Sequence, residues 1–180
     1  MQLLTRWLRS VSLLFPSLPN HGVLMAKRNP PLEYMQTSEY AVEMIKELDE
    51  YQCSIYFDAQ GLAVIGHAHR ITENEHDYIG KKITRQEAHD LLLKDLRPIE
   101  NALNRFIQVE ATQDQFDALV SLSHSIGVTT VVRSNLLMYL NNGEDARAAE
   151  EFYRWIYLGK KMIPKLRERR ELERGLFMGD

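Results

Sequence analysis

Three carboxylates stand close together in the sequence: Asp49 and Glu50, then Asp58. Two carboxylates facing each other across a cleft are what hydrolysis of a glycosidic bond requires. One, kept protonated by apolar surroundings, gives its proton to the leaving oxygen. The other, ionised, activates water or stabilises the developing oxocarbenium ion. By spacing alone the same pattern fits a solvated helix end and a turn aspartate, because 26% of the chain is charged. His67 and His69 share one strand face and could in principle hold a metal. No third ligand stands at a matching spacing, so the reading calls for no metal and no cofactor.

The elements that must position these groups are legible on either side. Thr37 or Ser38 can cap a helix whose apolar residues Ala41, Met44, Ile45 and Leu48 lie on one face, and that helix runs into Asp49 and Glu50. Ile55-Tyr56 and Leu62 to Ile65 read as two short strands around a turn at Asp58 to Gly61, a small β-hairpin. Thr84 with Glu87 and Thr112 with Gln115 form two capping boxes. Behind the first, Leu92, Leu96, Ile99, Leu103 and Phe106 keep one apolar stripe, with a kink expected at Pro98. Ser134 opens a further helix that Asn142-Gly143 closes, both residues tolerating the left-handed conformation. Amphipathic segments follow around Ala148 to Tyr157 and from Leu166 to Phe177. The last is basic, and reads as a solvated face in which Arg169, Arg170 and Arg174 are braced by Glu168, Glu171 and Glu173, or as a surface attracted to anionic polymers. The expected fold class is α+β, a small hairpin lobe packed on a mostly helical lobe.

The chain has 180 residues, 44% of them hydrophobic, which is enough for one domain with a real core. Its 22 lysines and arginines against 25 acids give a net charge of −3 and no global basic field for nucleic acid. The single cysteine, Cys53, excludes a disulfide framework. No apolar run is long enough to predict a transmembrane segment. Residues 1–36 read as an N-terminal extension: Leu3, Leu4, Trp7, Leu8, Val11 and Leu14 recur at helical spacing, then Pro16, Pro19, Gly22, Pro30 and Pro31 break the pattern. The domain proper is expected over residues 37–180. The extension could be a docking helix with a Pro-rich linker, an export or membrane-surface segment, or a lead-in before a start at Met25 or Met35.

From Met44 the sequence resembles the phage-type lysozymes, the endolysins. Met44 to Asp49, Ile55-Tyr56-Phe57-Asp58 and Gly61 to His69 are similar to that family's IKxFEG, AYxD and GxxTIGxGH. Ile83 to Leu96 resembles ITxxQAExLLxxDL, and Gln113 to Ser121 is nearly QxQFDALVSF. Ser125-Ile126-Gly127 falls on NIG, Ser134 to Gly143 on SxLLxxLNxG, and Arg154-Trp155 with Leu166 to Phe177 on the closing helix. The resemblance implies a lysozyme fold and a muramidase cutting between N-acetylmuramic acid and N-acetylglucosamine, with peptidoglycan glycan strands as partner.

The departures fall where the resemblance places the chemistry. The family pattern has a Glu as general acid, and an Asp and a Thr holding the attacking water. Without a gap, Asp49 stands on the Glu, Asp58 on the Asp and Val64 on the Thr, so only Asp58 is retained. The family also has a glycine directly after its acid. If that glycine is deleted here, Glu50 becomes the acid instead. An Asp for Glu shortens the acid by about 1.5 Å, and a misplacement near 1 Å can cost on the order of 10²-fold in rate. Valine for threonine keeps shape and loses the hydroxyl that orients water. Ala68 replaces the second glycine of GxGH, Ser125 replaces a cleft asparagine, and His124 stands where an aromatic is usual. Candidate catalytic residues are therefore Glu50, Asp49 and Asp58, with Val64, His69 and Ser125 as substrate-side residues; for His69 a hydrogen bond holding the hairpin is the competing role.

Two functions follow. One is a divergent inverting hydrolase, held in the host cytoplasm before lysis or carried on a virion, and acting at the bacterial cell wall. The other is a catalytically inactive virion component that binds glycan or protein, with residues 1–36 docking a phage structural partner.

Overall fold

In the computed structural model, residues 33–58 and 60–180 are described; the expectations for residues 1–32 lie outside them. The chain enters its first helix through Ser38, whose hydroxyl accepts the Ala41 N–H at 3.2 Å. Of the two residues expected to cap α1 (Glu39–Leu48), Ser38 does so; the Thr37 hydroxyl instead donates to Glu100 at 2.6 Å. Ala41, Val42 and Ile45 form the buried face of α1. Asp49 ends it as C-cap, and Glu50 lies beyond the helix.

The expected hairpin is present as β1 (Gln52–Phe57) and β2 (Ala63–Gly66), antiparallel with Tyr56 opposite Val64 and Phe57 opposite Ala63. A third strand, β3 (His69–Arg70), extends it in the order β1-β2-β3. Two residues carry no alternation to read, so nothing local announced it. The sheet rests on α2 (Arg85–Phe106) through a small cluster of Ile65, Ile83, Ala88 and Leu91. Gly66 is where strand and helix meet: a Cβ there would stand 3.1 Å from the Ala88 Cβ. Its φ of +66° adds a second reason for glycine.

Both capping boxes form as read. Thr84 accepts the Glu87 N–H at 3.1 Å while Glu87 accepts the Thr84 N–H at 2.7 Å. Thr112 and Gln115 do the same at the start of α3 (Gln113–Ile126). Pro98 lies inside α2, which continues through it to Phe106. Every residue of α3 from Gln115 to Ser123 is buried, because α1, α2, α4 (Val128–Val132) and α7 (Pro164–Met178) surround it. Phe116, Leu119 and Leu122 of α3 share one core with Leu96 and Leu103 of α2 and Leu136 and Leu140 of α5 (Asn135–Asn141). Ser134 caps α5 as expected, but only Gly143 of the closing pair is left-handed, at φ +72°; Asn142 stays right-handed at −93°.

The segment expected from Ala148 to Tyr157 divides. Helix α6 (Asp145–Glu151) runs into a 3₁₀ turn (Phe152–Trp155), then a small hairpin of β4 (Tyr157–Leu158) and β5 (Lys161–Met162). Pro164 at the first turn of α7 suits a residue without an N–H. Arg169 and Arg170 do not lie on a solvated face: both are buried, with Glu173 buried between them.

Candidate functional site

A cleft of about 860 Å³ opens between the β1–β2 hairpin, the end of α1, the end of α3 and the start of α7. Asp49, Glu50, Asp58, Val64 and Ser125 all line it. His69 does not; it lines a second cavity of about 510 Å³. Ala68, Arg70, His124 and Gly127 border both.

Asp58 is placed by its own turn. Its Oδ1 accepts the N–H groups of Gln60 at 2.9 Å and Leu62 at 2.8 Å, and its N–H donates to the Leu62 carbonyl at 3.0 Å. One carboxylate oxygen thus closes the hairpin, and Oδ2 makes no bond to a described residue. Val64, directly across from Tyr56, is buried in the wall and offers the cleft only methyl groups.

Asp49 is held from both sides. His124 Nδ1 meets its Oδ2 at 3.1 Å, and the Arg169 guanidinium bonds Oδ1. Burial favours the neutral acid, but the His124 hydrogen bond and the Arg169 charge outweigh it and hold the Asp49 carboxyl far below the usual carboxylate range. Arg169 is itself fixed by Glu173 at 3.1 Å and by the Ser121 carbonyl at 3.3 Å. Sequence reading put Arg169 on a surface. Its i,i+4 spacing to Glu173 was the available signal, and it fits an exposed pair equally well.

Glu50 is different in every respect. Its side chain is 66% exposed and pairs with Lys165 Nζ at 2.8 Å, which lowers its pKa. Its backbone has φ +33°, a conformation that costs an L-residue roughly 1–2 kcal/mol. Ala68, on the second glycine of GxGH, has φ +61°. These are the non-glycine residues of positive φ among those described, and both stand where the family pattern has glycine if the chain is aligned without a gap. Both backbones thus take the conformation that glycine adopts most readily.

His69 bridges the sheet to α2. Nδ1 meets Asp95 Oδ2 at 2.7 Å and Nε2 meets Glu75 Oε1 at 3.3 Å, so both ring nitrogens are committed to carboxylates. Burial opposes the imidazolium, but Asp95 and then Glu75 outweigh it and raise the His69 pKa. The ring Nδ1 of His67 is buried with no hydrogen-bond partner among the described residues.

The comparisons with known proteins agree with this architecture. The phage lysozyme family model matches residues 46–173. The endolysin of Bacillus phage PZA is 34% identical over 145 residues, covering 79% of this chain and 55% of that protein. The chain thus spans little more than half the length of that relative. The endolysin of Acyrthosiphon pisum secondary endosymbiont phage 1 is 34% identical over 147 residues, 79% of this chain and 98% of its own. Among solved structures, the muramidase domain of SpmX from Asticaccaulis excentricus superposes with a TM-score of 0.71 at 31% identity, over 79% of this chain and 97% of that one. With the hairpin, the helical core and the cleft between them in place, the chain belongs to the phage lysozyme family.

Proposed function

We propose that this chain hydrolyses the glycan strands of bacterial peptidoglycan, between N-acetylmuramic acid and N-acetylglucosamine, by inverting displacement at the cleft. The observation that carries the reading is the meeting of Asp58 with the end of α1 across one cavity. Asp58 is the water-side carboxylate, with Oδ1 fixed by two N–H groups and Oδ2 left to take the proton of the attacking water. The acid side is the α1 end, where Asp49 and Glu50 stand. Ser125 lies on the same wall and offers a hydroxyl to the sugar. His69 acts behind the wall, by holding the sheet to α2. Two endolysin relatives and a muramidase domain of the same fold support this assignment.

The place of action is the cell wall, reached from the host cytoplasm at lysis or from a virion. The apolar spacing within residues 1–36 is the feature that would suit docking to a phage structural partner. Among the described residues no helix is long and apolar enough to cross a membrane. Zymography of the purified chain in a peptidoglycan gel is the direct test. A cleared band that Asp58→Asn removes is the expected result. Binding to sacculi without clearing would identify a glycan-binding protein and overturn hydrolysis.

A further inference from the structure

The cleft and the second cavity meet along Ala68, Arg70, His124 and Gly127. Arg70 enters that junction from the sheet. Tyr56 pairs with Val64, and Val64 with Arg70, so the three side chains form one row across β1, β2 and β3. All three line the cleft. Adjacent strands lie about 5 Å apart, which sets Arg70 one strand beyond Val64 and two beyond the strand that leads into Asp58.

Every other lysine and arginine lining the two cavities is already spent on a carboxylate. Arg169 holds Asp49, Lys165 holds Glu50, and Lys94 stands 3.4 Å from Glu75. The acids of the second cavity, Glu75 and Asp95, are turned onto His69, Lys94 and Thr72, so neither is left to pair with Arg70. The Arg70 guanidinium is exposed and has no ion pair or hydrogen bond among the described residues. Residues 1–32 contain no acid to supply one.

N-acetylmuramic acid differs from N-acetylglucosamine by a lactyl ether on O3. That ether ends in a carboxyl group, either free or carried on into a peptide with carboxylates of its own. Resting on the hydrolytic reading above, we propose that Arg70 is the residue by which this cleft selects muramic-acid sugars. Its guanidinium takes a carboxylate of the O3 substituent, and the second cavity receives that substituent beside the glycan backbone in the main cleft. A guanidinium holds a carboxylate through two parallel N–H···O bonds, a fit that an ammonium lacks. A neutral N-acetylglucosamine polymer fills the same cleft and offers Arg70 nothing. The contact forms on binding and does not change as the glycosidic bond breaks, so it acts on KM rather than kcat.

The test is steady-state reducing-end release by the full chain from intact peptidoglycan and from the same glycan after an amidase has removed its peptides, which frees the lactyl carboxylate. Binding of a neutral N-acetylglucosamine oligomer is measured beside it. Arg70→Gln should raise KM at least about tenfold on a carboxylate-bearing glycan, with kcat, thermal midpoint and oligomer Kd unchanged. A loss on the peptide-free glycan assigns the lactyl carboxylate; a loss on the intact glycan alone assigns a carboxylate of the peptide. Arg70→Lys keeps the charge without the fork and should recover part of the loss. Arg97→Gln removes an equal charge from an exposed position of α2 outside both cavities and should match wild type throughout. Unchanged KM in Arg70→Gln on both glycans would overturn the proposal. So would an equal loss on the neutral oligomer, which would mark a role in shaping the sheet, or an equal loss in Arg97→Gln. A wild type that binds glycan and cuts none would overturn the hydrolytic reading instead, and the same Arg70 comparison is then read in Kd.

Discussion

Asp49 and Arg169 meet in the cleft wall although 120 residues separate them in the chain. Their side chains are 13% and 8% exposed, so neither has water to replace the other. The pair ties the end of α1 to the middle of α7 and fixes one side of the cleft.

Breaking it from the cation side should cost more than breaking it from the anion side. Arg169→Met leaves Asp49 with His124 alone and Glu173 with Arg170 and Ser121, and should destabilise the fold by about 3–5 kcal/mol, read by denaturant titration at neutral pH. Asp49→Asn should cost less and should change the acid response. A carboxylate whose folded pKa is depressed contributes stability above its unfolded pKa, here 3.8, and loses it as pH falls toward the folded value. The thermal midpoint of wild type should therefore exceed that of Asp49→Asn most above about pH 5. The two curves should converge on acidification below about pH 4.

His69 gives the opposite sign. Its pKa is raised in the folded chain, so its ion pairs contribute fully below the ordinary imidazole value of 6.5 and are lost as pH rises through the folded value. Glu75, depressed to about 2 against burial by Thr72 and His69, contributes above the ordinary glutamate value of 4.5 and does not titrate in that window. The midpoint difference between wild type and His69→Gln should shrink steadily from pH 5.5 to pH 8.5. A difference constant over that range would mean the imidazolium is not the form that holds β3 to α2.

The two capping boxes give a local expectation. Thr84→Ala and Thr112→Ala should each cost about 1 kcal/mol, since one N–H at each helix start loses its acceptor. They cap different helices, so the double variant should show nearly the sum. Affinity for an N-acetylglucosamine oligomer should stay unchanged in all three.

These caps were legible because a threonine and the residue three positions on complete the motif by themselves. The stripes of α2 and α3 were legible for the same kind of reason, as periodicity within one window. The carboxylates' surroundings were not. His124 and Arg169 lie 75 and 120 residues from Asp49, and no spacing rule connects them. The left-handed backbone at Glu50 was equally hidden, because the residue type argues against it. Only the family pattern, with glycine at that place, carried the information. The buried Arg169, Arg170 and Glu173 read as surface because charge ordinarily means solvent, and here three charges pay for burial by pairing.

Glycine should be welcome at both strained positions. Glu50→Gly and Ala68→Gly relieve a left-handed L-residue, and each should stabilise by about 1 kcal/mol, less the chain entropy that glycine adds to the unfolded state. Glu50→Gly also loses the Lys165 pair, which is too exposed to offset that gain. Destabilisation by Glu50→Gly would mean that the turn after α1 depends on the Glu50 side chain.

Val64 gives the catalytic counterpart. A threonine there would add a hydroxyl to the Asp58 side of the cleft while keeping the shape of the wall. Proton-transfer assistance is worth roughly 10²–10⁴-fold in total, so recovery of even part of it should appear as a faster initial rate of reducing-end release. Val64→Thr with unchanged rate and unchanged fold would count against that face as the water side.

The wall of the cleft also has an order of assembly. Asp49 and Asp58 emerge early in synthesis, but the guanidinium that fixes Asp49 belongs to α7, after every other described element. A nascent chain can build its hairpin and α1 and still lack a finished cleft. The finished wall therefore arrives with the closing helix, and a ribosome stalled before Arg169 would hold a chain whose Asp49 lacks its guanidinium.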